Sequence, residues 1–126
     1  MLTGLRSPEE IGRSLLSAGP RAVIVKCGAE GAVIAADGFV ASAPGFEAKV
    51  VDTTCAGDAF AAGFLFGLTR GKDTIEAVEL ANAAGALCTT QISHHGVASL
   101  EDVHRLAGKR DDEAAVAALR EPLERV

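Results

Sequence analysis

The sequence predicts an α/β domain in which helices flank a mixed sheet, and three observations support this. Short apolar runs bounded by Gly and Pro follow one another between residues 22 and 51, as expected of buried strands. Helical patterns with capping residues take over from residue 56. The last apolar run leads straight into the first of these helices, through residues 52–58. Ligands of such folds bind at the carboxyl ends of strands, so residues 52–58 are the expected site.

Composition narrows the class of protein. The 126 residues suffice for one domain whose core is aliphatic, because the chain has no Trp or Tyr and only five Phe. A net charge of -5 without a basic run argues against a nucleic-acid partner. Three scattered cysteines fit a reducing compartment better than a disulfide framework. The apolar runs are too short for a membrane helix, and no signal peptide is recognisable, so we expect a cytoplasmic protein.

The first half of the chain is expected to form a helix followed by strands. Ser7 is the expected N-cap of the helix, Pro8 its first residue, and Gly19-Pro20 its end. A hairpin turn is expected at Asp37-Gly38. The strands are expected at residues 22–26, 32–36, 39–43 and 47–51.

The second half is expected to be helical. Residues 56–68 carry one polar side chain, Asp58, and the missing polar stripe predicts a buried helix. Asp73 and Ser99 are cap residues that open two further helices. The charged tail from Asp111 is helical in pattern, and Pro122 interrupts it.

Asp58 is the candidate for chemistry because an ionised carboxylate is costly in an apolar helix unless the first turn holds it. The free amides of that turn, reached through Ala56-Gly57 with little side-chain bulk, can bind a phosphate. A carboxylate beside an anion site can accept a proton from a hydroxyl that receives a phosphoryl group. Helix capping, for example by Thr54, would explain the same residues without catalysis.

The run 52–60, D-T-T-C-A-G-D-A-F, resembles the second signature of the PfkB/ribokinase family of sugar and nucleoside kinases, D-T-x-G/A-A-G-D-x-F. The likeness covers roughly residues 2–107. It includes V-K-C-G-A-E-G at residues 25–31, A-N-A-A-G-A at residues 81–86 and H-H-G at residues 94–96. The resemblance implies the C-terminal part of a ribokinase-like fold, ATP and Mg²⁺ as cofactors, and a small sugar or sugar acid as substrate.

The resemblance also implies roles for single residues. Asp58 matches the catalytic base, and the amides of Ala56, Gly57 and Asp58 match the anion hole. Asp52 and the Thr54 carbonyl match a monovalent-cation site, with K⁺ as the implied ion. The residues that match the nucleotide site are Lys26, Gly28, Ala29, Glu30, Gly31, Gly57 and Asn82.

Several of these assignments have simpler alternatives. The G-x-x-G of residues 28–31 is also an ordinary turn between strands, and Asn82 is also compatible with a polar residue tolerated on a helix face. Cys55 departs from the family, which has Gly or Ala there, and it adds bulk beside the phosphate path. We interpret His94 and His95 as loop residues, because no further metal ligands accompany them.

Residues 1–126 are thus expected to be the C-terminal, nucleotide-binding and catalytic-base portion of a PfkB-type kinase. The sugar-binding half, the lid and the N-x-x-E magnesium motif would precede Met1. Alone, the chain is expected to be inactive and to form a homo-oligomer. The alternative is a non-catalytic nucleotide-binding or interaction module. Residues 2–4 and 26–31 look most like those of 2-keto-3-deoxygluconate kinases or fructokinases.

Overall fold

The computed structural model describes residue 4 and residues 7–36, 38–92, 99–108 and 121–122. They form four helices, four strands and one 3₁₀ turn, and the α/β class is confirmed. None of the helices in these ranges has the length and apolar character needed to cross a membrane. In chain order the elements are α1 (Pro8–Leu16), β1 (Ala22–Lys26), the 3₁₀ turn (Gly28–Glu30), β2 (Gly31–Ala36), β3 (Phe39–Pro44), α2 (Ala56–Thr69), α3 (Thr74–Thr89), α4 (Leu100–Gly108) and β4 (Glu121–Pro122).

The sheet has the order β1-β2-β3-β4, and each of these pairs is antiparallel. The mixed sheet that we expected is therefore not present among the described strands. Short connections explain the antiparallel pairing of β1 with β2 and of β2 with β3, because parallel neighbours need a long crossover connection. Ala36 pairs with Phe39, so β2 and β3 are antiparallel neighbours, in agreement with the predicted hairpin.

Strand β2 is the centre of the fold, and all six of its residues are buried. On one face, Ile34 packs with Ile75 and Val78 of α3. On the other face, Val33 and Ala35 pack near Leu16 of α1, so the sheet lies between two helical layers. Because successive β2 side chains point to opposite faces of the sheet, β2 contributes to a hydrophobic core on each face.

Helices α2 and α3 approach each other closely because glycine faces α3. A Cβ on Gly67 would lie 2.8 Å from the Ala77 Cα, and one on Gly63 would lie 3.0 Å from the Ala81 Cα. Helix α4 packs on the outer side of α3 through Val103. This close packing fixes the position of the α2 N-terminus relative to the sheet.

The three predicted helix caps are confirmed. The Ser7 hydroxyl accepts the Glu10 amide at 3.1 Å. Asp73 forms a complete capping box at the start of α3, and the Ser99 hydroxyl accepts the Asp102 amide at 3.1 Å. The expectations for His94, His95, Gly96 and most of the tail from Asp111 fall outside the described residues.

One predicted strand is wrong, and one predicted helix is less buried than its apolar pattern indicates. Residues 47–51 do not form a strand: the amides of Val51 and Asp52 donate instead to the Thr89 carbonyl at the end of α3, at 2.7 and 3.1 Å. Helix α2 exists, but within this chain only its Gly67 is buried, and the Leu65 side chain is 60% exposed. The described residues cover the side of α2 that faces α3, so its apolar outer side stays exposed.

Candidate active site

The described residues form a cleft of about 900 Å³ between the sheet and the start of α2. Six of the seven residues predicted for the nucleotide site line it, and Glu30 does not. Asp58, Asp52 and Thr54 also lie outside the lining, while Ala56 is part of it. The cleft is lined by Lys26, Gly28, Ala29, Gly31, Gly45, Phe46, Glu47, Ala48, Lys49, Val50, Thr53, Ala56, Gly57, Phe60, Asn82, Gly85, Ala86 and Thr89.

Two glycines shape the cleft wall by letting backbones touch. Gly31 has a φ of 103°, and a Cβ there would collide with the Ala43 carbonyl oxygen. A Cβ on Gly45 would collide with the Ala29 carbonyl oxygen. The Gly45 amide donates to the Glu30 carbonyl at 3.0 Å, which closes the contact. The predicted turn at residues 28–31 is therefore held against the end of β3 and lines the cleft with backbone.

The N-terminus of α2 has no side-chain cap. Its N-cap residue is Cys55, not Thr54, and the Thr54 amide donates to the Asp52 carboxylate at 2.8 Å. The Ala56 amide already donates to the Thr53 carbonyl at 3.2 Å. The amides of Gly57 and Asp58 have no acceptor among the described residues, so two donors remain to bind an anion.

Asp58 lies beside the cleft residues of α2 but is not one of the residues that line the cleft. It is the third residue of the helix, it is exposed, and no described cation forms an ion pair with it. Gly57, one residue earlier, lines the cleft. Consecutive residues of a helix are about 100° apart around its axis, so the Asp58 side chain starts about 100° around the helix from the cleft residue Gly57.

The Asn82 side chain has a structural role that the sequence did not reveal. Its amide nitrogen donates to the carbonyls of Ala43 and Pro44 at 3.0 and 3.3 Å, and the residue is 6% exposed. It therefore fastens α3 to the end of β3 where the cleft begins. It is not a polar residue left on an exposed helix face, and its contact with a nucleotide stays a prediction.

The predicted cation ligands are near each other in the chain but are already hydrogen-bonded. The Asp52 carboxylate accepts from the Thr54 amide, and the Cys88 thiol donates to the Thr54 carbonyl across 3.6 Å. Burial raises the pKa of the Cys88 thiol, and electrostatic interaction with Cys55, Asp52 and Asp58 raises it further, so the thiol stays protonated and can donate. The cation site stays a prediction.

Sequence reasoning missed the residues that follow β3. Phe46, Glu47, Lys49 and Val50 line the cleft, although the sequence pattern of residues 47–51 predicts a strand. The Pro44-Gly45 break was the available signal, since it interrupts a sheet and is typical of loops. Phe60 was also missed, and the Lys26 ammonium lies 5.8 Å from the centre of its ring.

Cys55 has a φ of 64°, the one positive value at a non-glycine position among the described residues. This left-handed conformation disfavours side chains by about 1–2 kcal/mol. We therefore expect Cys55→Gly to have a free energy of unfolding about 1 kcal/mol higher than that of Cys55→Ala, which keeps the strained Cβ. Urea denaturation of the two variants measures the difference, and equal stabilities would contradict the strain.

Comparison with known proteins agrees with this geometry. The family model described as pfkB family carbohydrate kinase matches residues 2–102. The 2-dehydro-3-deoxygluconokinase of Bacillus subtilis (strain 168) is 39% identical over 90 residues, which cover 69% of this chain and 27% of that protein. The chain spans about a quarter of the length of the curated relatives it matches.

The solved structures that resemble this chain are also those of sugar kinases. Ribokinase from Thermotoga maritima matches with a TM-score of 0.76 and 32% identity, over 82% of this chain and 35% of that one. Fructokinase from Vibrio cholerae O395, solved with fructose, ADP and a calcium ion bound, matches with a TM-score of 0.74 and 33% identity. That match covers 84% of this chain and 37% of the fructokinase.

Proposed function

Because this chain belongs to the pfkB family of carbohydrate kinases, we propose that it supplies the nucleotide site and catalytic base for phosphoryl transfer from ATP to a sugar hydroxyl. The observation that carries the proposal is the uncapped start of α2. There the amides of Gly57 and Asp58, which have no acceptor among the described residues, adjoin a cleft of about 900 Å³ and the exposed Asp58 carboxylate. A cap residue would have satisfied these amides itself, so capping does not account for the arrangement.

In the proposed mechanism, the nucleotide lies in the cleft with its terminal phosphate at the amides of Gly57 and Asp58. Asp58, the residue that follows Gly57, accepts the proton of the hydroxyl that attacks this phosphate. The bond from phosphorus to the bridging oxygen of ADP breaks while the bond to the sugar oxygen forms. Oriented donors of this kind typically contribute about 10²–10³ in rate each.

In this proposal, Mg²⁺ is bound mainly by the phosphates of ATP. Among the described residues, no group of three or more His, Cys, Asp or Glu side chains could hold a metal. Mg²⁺ needs no such cluster, because it is commonly bound by the phosphates of the nucleotide, water and one or two carboxylates. Asp52 and the Thr54 carbonyl offer two oxygens suited to K⁺, provided that the ion replaces the weak Cys88 bond.

The acceptor site is proposed to come from residues beyond those of this chain. Asp58 does not line the cleft, and the outer side of α2 is exposed in the part of the chain that the structure describes. We propose that this side meets the sugar-binding portion of a complete kinase, and that the chain alone is inactive and self-associates in the cytoplasm. The names of the relatives favour 2-dehydro-3-deoxygluconate or fructose as the acceptor.

A fusion protein tests the proposal. The B. subtilis 2-dehydro-3-deoxygluconokinase would keep its own residues up to the point where its match to this chain begins, and this chain would follow. We expect ATP-dependent phosphorylation of 2-dehydro-3-deoxygluconate by the fusion and none by the chain alone. A fusion that binds ATP without transferring phosphate would favour the non-catalytic nucleotide-binding module.

A further inference from the structure

Two cysteines lie on facing segments, at the start of α2 and at the end of α3. Cys55 is the exposed N-cap residue of α2, and Cys88, only 4% exposed, lies in the last turn of α3. The Cys88 Sγ is 3.6 Å from the carbonyl oxygen of Thr54, the residue before Cys55. In a trans peptide that oxygen is about 2.8 Å from the next Cα. The Cys55 Cα is therefore at most about 6.4 Å from the Cys88 Sγ.

The chain on both sides of Cys55 is held against α3. The carbonyl oxygen of Ala56, the next residue, would be 3.4 Å from a Cβ on Gly85 of α3. In the loop before Cys55, the Val51 amide donates to the Thr89 carbonyl at 2.7 Å. The approach of the two cysteines is thus part of the packing between the start of α2 and the last turn of α3.

Cysteine is an unfavourable residue at position 55. Its φ of 64° is strained for any residue with a Cβ, whereas glycine adopts this conformation freely. The Cys55 side chain makes no capping hydrogen bond in return within the part of the chain that the structure describes. Backbone strain of this kind persists mainly at functional sites, so the thiol itself needs an explanation.

We propose that Cys55 and Cys88 are a peroxide-sensitive thiol pair that closes into a reversible disulfide between α2 and α3. Exposed cysteines beside a second cysteine are the usual redox sensors, and reversible disulfides of this kind occur in reducing compartments. The inference goes beyond the proposed function and does not depend on it. The disulfide fixes the start of α2, which carries Asp58, to the end of α3.

The reaction has two steps. Cys55 reacts first because it is exposed: hydrogen peroxide oxidises its thiol to a sulfenic acid and is itself reduced to water. The Cys88 sulfur then attacks the Cys55 sulfur, and the S–S bond forms as the S–O bond breaks. The departing hydroxyl takes the Cys88 proton and leaves as a second water. A thiol reductant returns both cysteines to thiols.

Cys27 is the matched control because it lies elsewhere in the fold. It packs beside Val33 and Val40 on the face of the sheet that carries α1, and its thiol donates to the Val25 carbonyl across 3.4 Å. Helix α3, which carries Cys88, packs on the opposite face of the sheet. A disulfide that depends on the fold should therefore leave Cys27 out.

Peroxide treatment of the folded chain tests the inference, followed by alkylation of the remaining thiols and peptide mass spectrometry. Hydrogen peroxide is expected to link the peptides that contain Cys55 and Cys88 and to leave Cys27 alkylated. This link should be about tenfold or more as abundant as any link to Cys27, because folding holds only the first pair together. Dithiothreitol is expected to restore all three thiols.

Variants separate the pair from single oxidised cysteines. Cys88→Ala is expected to stop at the Cys55 sulfenic acid, which dimedone labels, and Cys27→Ala to form the same disulfide as the unaltered chain. The inference is overturned if peroxide leaves Cys55 unreacted, or if Cys55 links to a second copy of the chain instead of to Cys88. A link to Cys88 that is no more abundant than the links to Cys27 also overturns it.

Discussion

Asp58→Asn in the fusion kinase is expected to lower kcat by about 10²–10⁴ and to leave ATP affinity within a few-fold. The amide keeps the size of the carboxylate but cannot accept the proton of the attacking hydroxyl. ATP affinity should change little, because Asp58 lies outside the residues that line the cleft and its backbone amide is unaltered. Steady-state kinetics with a nucleotide-binding titration measures both quantities.

The control for this prediction is Glu101→Gln. The Glu101 side chain is 81% exposed on α4, where it pairs with Arg105, so the exchange removes a carboxylate away from the cleft. Its kcat should match that of the unaltered fusion. Near-normal turnover in Asp58→Asn would show that the base is another group.

The chain on its own is expected to self-associate at micromolar concentration. Helix α2 exposes Ala61, Ala62, Leu65 and Leu68 on the side away from α3, with Leu65 60% and Leu68 42% exposed. A helix with apolar residues all round needs cover on every side, and an uncovered face favours association. Leu65→Lys is expected to shift the chain toward the monomer, as measured by sedimentation velocity across a concentration series.

Leu15→Lys is the matched control for self-association. Leu15 is 37% exposed on α1, in the layer on the opposite face of the sheet. The same exchange there adds the same charge and should leave the association unchanged. A stable monomer of the unaltered chain with a sharp thermal transition would mean that the α2 face needs no partner.

Local chemistry allowed the helix boundaries to be predicted from the sequence. Ser7, Asp73 and Ser99 each cap a helix through a bond that spans three residues, so nothing distant is needed to recognise them. The pairing of β2 with β3 is equally local, because Ala36 pairs with Phe39, three residues later in the chain. The motif around Asp58 also lay where the pattern placed it, at the first turn of α2.

The features that the sequence did not predict depend mostly on contacts between residues that are distant in the chain. Residues 47–51 have a strand-like pattern, but their hydrogen bonds go to Thr89, about 40 residues later. Asn82 is fixed by two carbonyls at the end of β3, which no helix pattern shows. The left-handed backbone of Cys55 contradicts the preference of cysteine, and only the departure from the family's Gly or Ala hinted at it.

Phosphoryl transfer by the fusion kinase tests most directly the claim that this chain holds the nucleotide site and the base. The measurement is the rate at which labelled γ-phosphate moves from ATP to 2-dehydro-3-deoxygluconate, with the chain alone and the Asp58→Asn fusion run in parallel. We predict transfer by the unaltered fusion, about 10²–10⁴ slower transfer by Asp58→Asn, and none by the chain alone. A folded fusion that binds both substrates and transfers no phosphate would contradict the claim.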